Sequence, residues 1–404
     1  MQITGIVAEY NPFHNGHQYH IGQSKALQES DGIIAVMSGN FTQRGEAAVF
    51  DKWTRAEMAL RCGVDLVLEL PVSFAVRSAG YFAKGAVLSL AATGVVSHLS
   101  CGVESQSTNQ LQQLAQFLSN ETPQYQQVLQ QYLQQGLSYP SARQKALSAL
   151  HIDGAEQLQT PNNILALHYL QTIEQESLPI TPVFISRLGD YNDTAIPQVS
   201  QGFASASAIR RLLCQENSLW QEQVPRPVSQ LIHEQLQQGY LPMQNQNFEQ
   251  ILFALLRRST PDLLSDIIET AEGLENRIYT AAHQTHTLDD LCSAIKSKRY
   301  TYTRIQRMLI HLLLNFTAQY AAEQPAYLRV LGFNRTGQKI LKEMKKRCTL
   351  PIIIRPARQR HQLDQQAQLM LALDCRATNL YDMGYALPSL RTCNRDLLKM
   401  PVQV

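Results

Sequence analysis

Apolar and polar positions change period repeatedly along the first hundred residues. "QITGIV" (2–7), "GIIAVMS" (32–38), "VDLVLELP" (64–71) and "VVSHLSCG" (95–102) are short apolar runs bounded by turn residues, a pattern that predicts buried strands. Between them, "DKWTRAEMALRCG" (51–63) and "SAGYFAKGAVLSLAATG" (78–94) repeat apolar residues at helical spacing. A further run, "ITPVFISRLGD" (180–190), reads as a fifth strand. Buried strands alternating with helices predict an α/β fold on a doubly wound parallel sheet. Ligands on such sheets bind at the carboxyl ends of the strands. There the histidines after the first strand, Ser38-Gly39-Asn40 after the second and Cys101-Gly102 after the fourth would meet on one edge.

The remainder of the chain changes character. Residues 105–150 are glutamine-rich, but apolar residues recur at helical spacing, as in "YQQVLQQYLQQG", which predicts a solvated amphipathic insertion. "TPNNILALHYL" (160–170) opens a helix behind Thr-Pro, and "FASASAIRRLL" (203–213) opens one on serines. From about Pro225 to Tyr320 the pattern is almost wholly helical. A small mixed segment follows, with "YLRVLGFN" and "LPIIIRP" as strands around the helix "GQKILKEMKKR". The expected organisation is three domains, at 1–222, 223–320 and 321–404.

Composition changes the picture in two ways. The seven cysteines are scattered and never form a C-x-x-C pair. This points to reduced thiols in a cytoplasm, with neither a disulfide framework nor a structural zinc site. No apolar run is long enough to span a bilayer, and neither membrane nor DNA is expected as a partner. The net charge is only +2, yet Leu291–Arg360 carries six Lys and nine Arg against Glu323 and Glu343, a local balance of +13. Such asymmetry predicts that one part of the protein faces a polyanion.

The chemistry-bearing signal is His14-Asn15-Gly16-His17, at a strand-to-helix junction behind the Asn11-Pro12 turn. Free backbone N–H groups and the helix dipole favour an anion there. Histidines can donate to the oxygens of a phosphorus centre undergoing substitution, and Gly16 lets a nucleotide approach the backbone. A metal reading is weaker, because no carboxylate completes a site beside His17 and His20. A second signal, Ser205-Ala206-Ser207-Ala208-Ile209-Arg210, sets two hydroxyls and a guanidinium at a helix start. Either serine could cap that helix. Together with the histidines, the serines would hold the β- and γ-phosphates and Arg210 would neutralise departing pyrophosphate.

H-x-G-H with a late S-x-S-x-I-R resembles the nucleotidyltransferase superfamily related to the class I aminoacyl-tRNA synthetase core. More closely, "GIVAEYNPFHNGH", "VMSGNFTQRGEAAVFDKWTRAEMAL", "DLVLELP", "TPNNILA" and "KRYTYTRIQRMLIHLLL" resemble the bacterial tRNA(Met) cytidine acetate ligase family. The resemblance implies a ligase that activates acetate with ATP to acetyl-adenylate. The acetyl group then passes to N4 of the wobble cytidine of elongator tRNA(Met), giving N4-acetylcytidine. It implies that 1–222 activates acetate and that 223–320 binds tRNA. His14 and His17 would be the catalytic histidines. Val7, Asn11, Pro12, Asn15, Gly16 and His20 would complete the ATP loop, with Gly102, Asn162, Arg187 and Leu188 as further nucleotide contacts. Ala206 and Ala208 depart from the commonest superfamily form, which leaves Ser205 open as a cap or a phosphate ligand. Mg2+ is expected with ATP, although no carboxylate pair identifies its ligands.

Two further expectations come from the residues themselves. Acyl adenylates hydrolyse readily, so a closed pocket is needed, and "SGNFTQRGEAAVFDKW" would be a loop covering it with Arg44 and Lys52. Lys296, Lys298, Arg299, Arg304 and Arg307, interleaved with Tyr300 and Tyr302, suit RNA phosphates and stacked bases. Because the adenylate cannot travel far through water, Arg299 and His17 should line one continuous groove. A small-molecule adenylyltransferase and a non-catalytic RNA-binding protein stand as alternatives. The large basic region argues against the first, and the intact histidines and serines argue against the second.

Overall fold

The computed structural model describes residues 1–104, 108–186, 203–270 and 273–404. Its strands are β1 (Ile3–Ala8), β2 (Gly32–Ser38), β3 (Leu66–Leu70), β4 (Val96–Val103), β5 (Thr181–Ser186), β6 (Leu328–Phe333), β7 (Ile352–Ile353) and β8 (Val402–Gln403). They form one sheet in the order β5-β4-β1-β2-β3-β6-β7, with β8 also on β6. The first five are parallel. The chain steps from β1 outward to β2 and β3, then returns to lay β4 and β5 on the other side of β1. The gap between β1 and β4 is therefore the topological switch point of a doubly wound sheet, where ligands bind. β2 and β3 are buried throughout, as continuous apolar runs in a covered parallel sheet require.

The glutamine-rich stretch forms the helices Thr108–Ser119, Pro123–Gln134 and Tyr139–Ala149. Leu111, Leu114, Leu118, Leu129 and Leu147 on these helices enter the main core. The segment after residue 321 does not build a sheet of its own. β6 runs antiparallel to β3, with Glu69 opposite Arg329, and β7 and β8 extend it parallel on its outer edge.

That junction is held by charge. Lys52, 1% exposed, places Nζ 2.6 Å from Glu69 Oε1 and 2.6 Å from Asp396 Oδ1. The Arg329 guanidinium contacts the same two carboxylates. Burial alone would raise the Asp396 pKa, but Arg329 and Lys52 outweigh it and hold the carboxyl below its ordinary value. Lys52 is thus committed to the core and does not reach the strand-end cavity, contrary to the covering role expected from sequence.

Gln43, Arg44 and Glu46 of that loop do line the cavity, as expected for Arg44, while the rest of it is built into the core. Phe41, Thr42 and Ala48 are fully buried. Tyr381 OH donates to the Ala48 carbonyl at 2.7 Å, and Asn245 Oδ1 accepts from Ala47 N at 2.8 Å. Gly45, at φ +73°, lies so close to the helix Tyr302–Leu314 that an added Cβ would sit 2.2 Å from Arg307 N. Only glycine fits there.

Removing Lys52 leaves two buried carboxylates facing Arg329 alone. Lys52→Met should therefore cost about 3–5 kcal/mol in chemical denaturation, and adding Glu69→Gln should restore part of it. A single variant as stable as the parent would show that the cluster contributes nothing. Because the Asp396 pKa is depressed on folding, its contribution is present above about pH 4 and is lost as pH falls below it.

Candidate active site

β1 ends at Ala8, and a tight turn with a cis Asn11-Pro12 bond leads to the helix Asn15–Gln28. His14 is its N-cap. Gly16 N donates to His14 Nδ1 at 3.1 Å, and His14 N donates to His17 Nδ1 at 3.2 Å. This is a reciprocal cap made from two imidazoles in place of the usual Ser and Glu. The rings stack with centroids 3.7 Å apart, and Tyr10 meets His17 edge-on at 4.9 Å. With both Nδ1 atoms accepting, each neutral ring carries its proton on Nε2, and the donor each can offer is Nε2–H. Gly16 has a local reason as well: an added Cβ would lie 2.9 Å from His14 Cε1.

These rings line a cavity of about 930 Å³ at the carboxyl ends of β1, β4 and β5. Of the residues expected to hold nucleotide, Val7, Asn11, Gly16, His20, Gly102 and Asn162 lie on its wall, as do Ser205, Ser207 and Arg210. Pro12 and Asn15 do not; Pro12 is buried in the turn, and Asn15 Nδ2 donates to the Glu222 carbonyl at 3.0 Å. Arg187 and Leu188 fall outside the described residues. His20 Nε2 is 2.9 Å from Ser100 Oγ, and Asn162 donates to Glu104 Oε1 at 2.6 Å.

Ser205 Oγ accepts from Ala208 N at 3.2 Å, so Ser205 caps the helix Ala206–Cys214 while facing the cavity. Arg210 is braced by three acceptors: the Asn11 carbonyl and Glu46 Oε2, each at 2.9 Å, and Ser207 Oγ at 3.2 Å. Its guanidinium is fixed against the turn that carries His14.

The basic segment meets the same cavity. Arg299, Arg304 and Arg307 line it together with Thr301 and Thr303, so Arg299 and His17 border one cavity as expected. Thr301 caps the helix Tyr302–Leu314, and the preceding Lys296, Lys298 and Arg299 lie outside that helix and are exposed. Lys296 and Lys298 are off the cavity wall. Arg307 is buried, with Nε 3.1 Å from Glu269 Oε2, while Arg77 Nε reaches Glu269 Oε1 at 2.9 Å. Burial would raise the Glu269 carboxyl, but Arg307, His311 and Arg77 hold it below its ordinary value. Burial pushes the Cys101 thiol up to about 12, which removes it as a nucleophile.

Sequence reasoning missed four charged wall residues: Glu9, Glu46, Arg77 and Glu269. Glu9 and Glu46 were hidden inside quoted motifs, and Arg77 and Glu269 are a lone cation and a lone anion brought together only by folding. The +13 region also divides. Arg335, Lys339, Lys342, Lys345, Lys346 and Arg347 are exposed on the helix Arg335–Arg347. That helix packs beside Gly32, Asp65 and Gly94, which precede or begin β2, β3 and β4. It lies at the amino ends of the strands, opposite the cavity. Among the described residues no group of His, Cys, Asp and Glu is arranged to hold a metal ion, and no helix is long and apolar enough to cross a membrane.

Comparison with known proteins places this geometry. Residues 1–396 match the HIGH Nucleotidyl Transferase family model. The tRNA(Met) cytidine acetate ligase of Syntrophomonas wolfei is 42% identical, over 100% of this chain and 99% of the relative. The protein of the same name from Thermoanaerobacter sp. is 41% identical, over 95% and 96%. The crystal structure of Thermotoga maritima TmcAL bound with α-thio ATP superposes over the full length of both chains, with a TM-score of 0.93 at 35% identity. With its stacked histidines at the switch point of the sheet, this chain belongs to the tRNA(Met) cytidine acetate ligase family of HIGH nucleotidyltransferases.

Proposed function

We propose that the protein is an ATP-dependent ligase that activates acetate as acetyl-adenylate and transfers the acetyl group to N4 of the wobble cytidine of elongator tRNA(Met). One observation carries this reading most directly: the histidine pair and the arginines of the basic segment line the same cavity. A small-molecule adenylyltransferase would have no use for that second wall.

The chemistry follows from the donors. Acetate oxygen attacks the α-phosphorus of ATP and pyrophosphate leaves. The Nε2–H groups of His14 and His17, with the helix N-terminus behind them, stabilise the charge that builds on the phosphoryl oxygens. Ser205, Ser207 and Arg210, which line the cavity beside the turn that carries His14, receive the leaving pyrophosphate. In the second step N4 attacks the acetyl carbonyl and AMP leaves. The base must leave its stack to reach the adenylate, at a cost of a few kcal/mol that phosphate contacts along the basic rim offset.

Mg2+ enters with ATP. Among the described residues the cavity wall carries three carboxylates, of Glu9, Glu46 and Glu269, and arginines pair with the last two. The described residues thus supply no carboxylate cage, and the ion would be held by phosphates and water. The site of action is the cytoplasm, where ATP and tRNA are both present.

Acetate-dependent exchange of pyrophosphate into ATP, measured without tRNA, tests the first step. The parent should exchange, and His17→Ala should lower the rate by about 10²–10³-fold; exchange that ignores acetate would overturn the reading. Lys296 and Lys298 test the second wall from outside the cavity. Replacing both with Ala should make the salt dependence of tRNA binding shallower by about 1.5 units of log K per log salt, with exchange unaltered. An unchanged slope would remove these two lysines from the RNA contact.

A further inference from the structure

We propose, building on the acetyl-transfer reading above, that the Glu9 carboxylate accepts the proton that N4 of the cytidine loses as it attacks the acetyl carbonyl. The exocyclic amine of cytosine is a poor nucleophile because its lone pair is shared with the ring. Its attack makes an N–C bond, and the nitrogen must shed a proton before the product amide is neutral. In the balanced step the N4–C bond forms and the bond from the acetyl carbon to the phosphate oxygen breaks. AMP leaves with that electron pair, and the N4 proton passes to Glu9.

The cavity offers few other acceptors. His14 and His17 use Nδ1 to accept backbone N–H groups, which leaves them donors at Nε2. His20 Nε2 is engaged with Ser100. Glu46 is paired with Arg210, and Glu269 with Arg77 and Arg307. Glu9 has no such ion pair among the described residues; its carboxylate accepts only a neutral backbone bond, from Gln43 N at 2.8 Å.

Placement agrees. Tyr10, next in sequence, packs against His17. On the other side, Gln43 donates through Nε2 to the Arg77 carbonyl at 3.1 Å, and Arg77 leads through Glu269 to Arg307. Glu9 therefore stands between the phosphoryl end and the RNA end of the cavity, where the reacting nitrogen and carbon must meet. Its backbone is anchored by Arg55 Nη1, 2.6 Å from the Glu9 carbonyl. Burial, assisted by Glu46, raises its carboxyl pKa against the pull of the Gln43 N–H, Arg44 and Arg210. A stronger carboxylate base is what proton removal near neutral pH calls for.

Two rates measured on the full chain decide the matter: acetate-dependent pyrophosphate exchange without tRNA, and single-turnover transfer of labelled acetyl to a tRNA(Met) transcript. Glu9→Gln keeps the side-chain shape and an acceptor for Gln43 N. It should slow transfer by about 10²–10⁴-fold more than it slows exchange, and Glu9→Asp should recover part of the difference. The exchange rate reports that each variant is folded. Transfer close to the parent's, or exchange and transfer falling in proportion, would overturn the assignment. A parent that shows no acetate-dependent exchange would instead remove the acetyl-transfer reading, and Glu9's role with it.

Discussion

Arg55, fully buried, donates to the backbone carbonyls of Glu9, Ser38, Gly39 and Phe50. These oxygens lie just past the ends of β1 and β2 and within the loop that follows β2. Strand ends that turn inward leave carbonyls without ladder partners, and a buried unpaired carbonyl costs free energy comparable to a lost hydrogen bond. A single five-donor fork satisfies four of them at once. The turn carrying Glu9, Tyr10 and Asn11 is thereby set against the 39–51 loop, and the cavity takes its floor from that contact. Asn11 Oδ1, accepting from Val49 N at 2.7 Å, ties the same two segments a second time.

From this floor the cavity acquires two unlike ends. At one stand helix N-termini and the imidazoles of His14 and His17, which the proposed mechanism assigns to the phosphoryl group. At the other, arginines are held by Glu269 in a fixed arrangement. A guanidinium already paired with a carboxylate keeps its orientation and loses little further freedom when it meets a phosphate. The six exposed cations on the helix Arg335–Arg347 lie across the sheet from this cavity. Net charge along the sequence therefore overstated how much of the basic region borders the reaction site.

The strands, the order of elements and the histidine motif were legible because each is local. A continuous apolar run marks a buried strand, and H-x-G-H needs only a strand before it and a helix after it. What escaped depends on distant partners. β6 joins β3 through residues more than 250 positions apart, and nothing in "YLRVLGF" names its neighbour. Lys52 looked like a loop cation because its carboxylates, Glu69 and Asp396, lie 17 and 344 residues away. The loop around Gly45 read as a cover over the pocket, and its burial was missed because its anchors belong to later helices. Gly16 was legible as a residue that must lack a side chain, though the atom its Cβ would strike belongs to His14.

The histidine pair shows why folding and chemistry cannot be separated at this site. A helix start leaves backbone N–H groups without partners, and Ser, Thr or Asp usually supplies the acceptor. Here imidazole nitrogens do so, and each cap bond commits Nδ1 as an acceptor. The remaining proton must then sit on Nε2, where it can be donated to a phosphoryl oxygen. An Asp cap would start the helix equally well but would bring negative charge to the α-phosphate, and a Ser cap would be too short to reach beyond the first turn. Histidine satisfies the helix with one edge of its ring and presents a donor at the other. In the proposed mechanism, the same bonds that begin the helix select the tautomer that donates to the phosphoryl group.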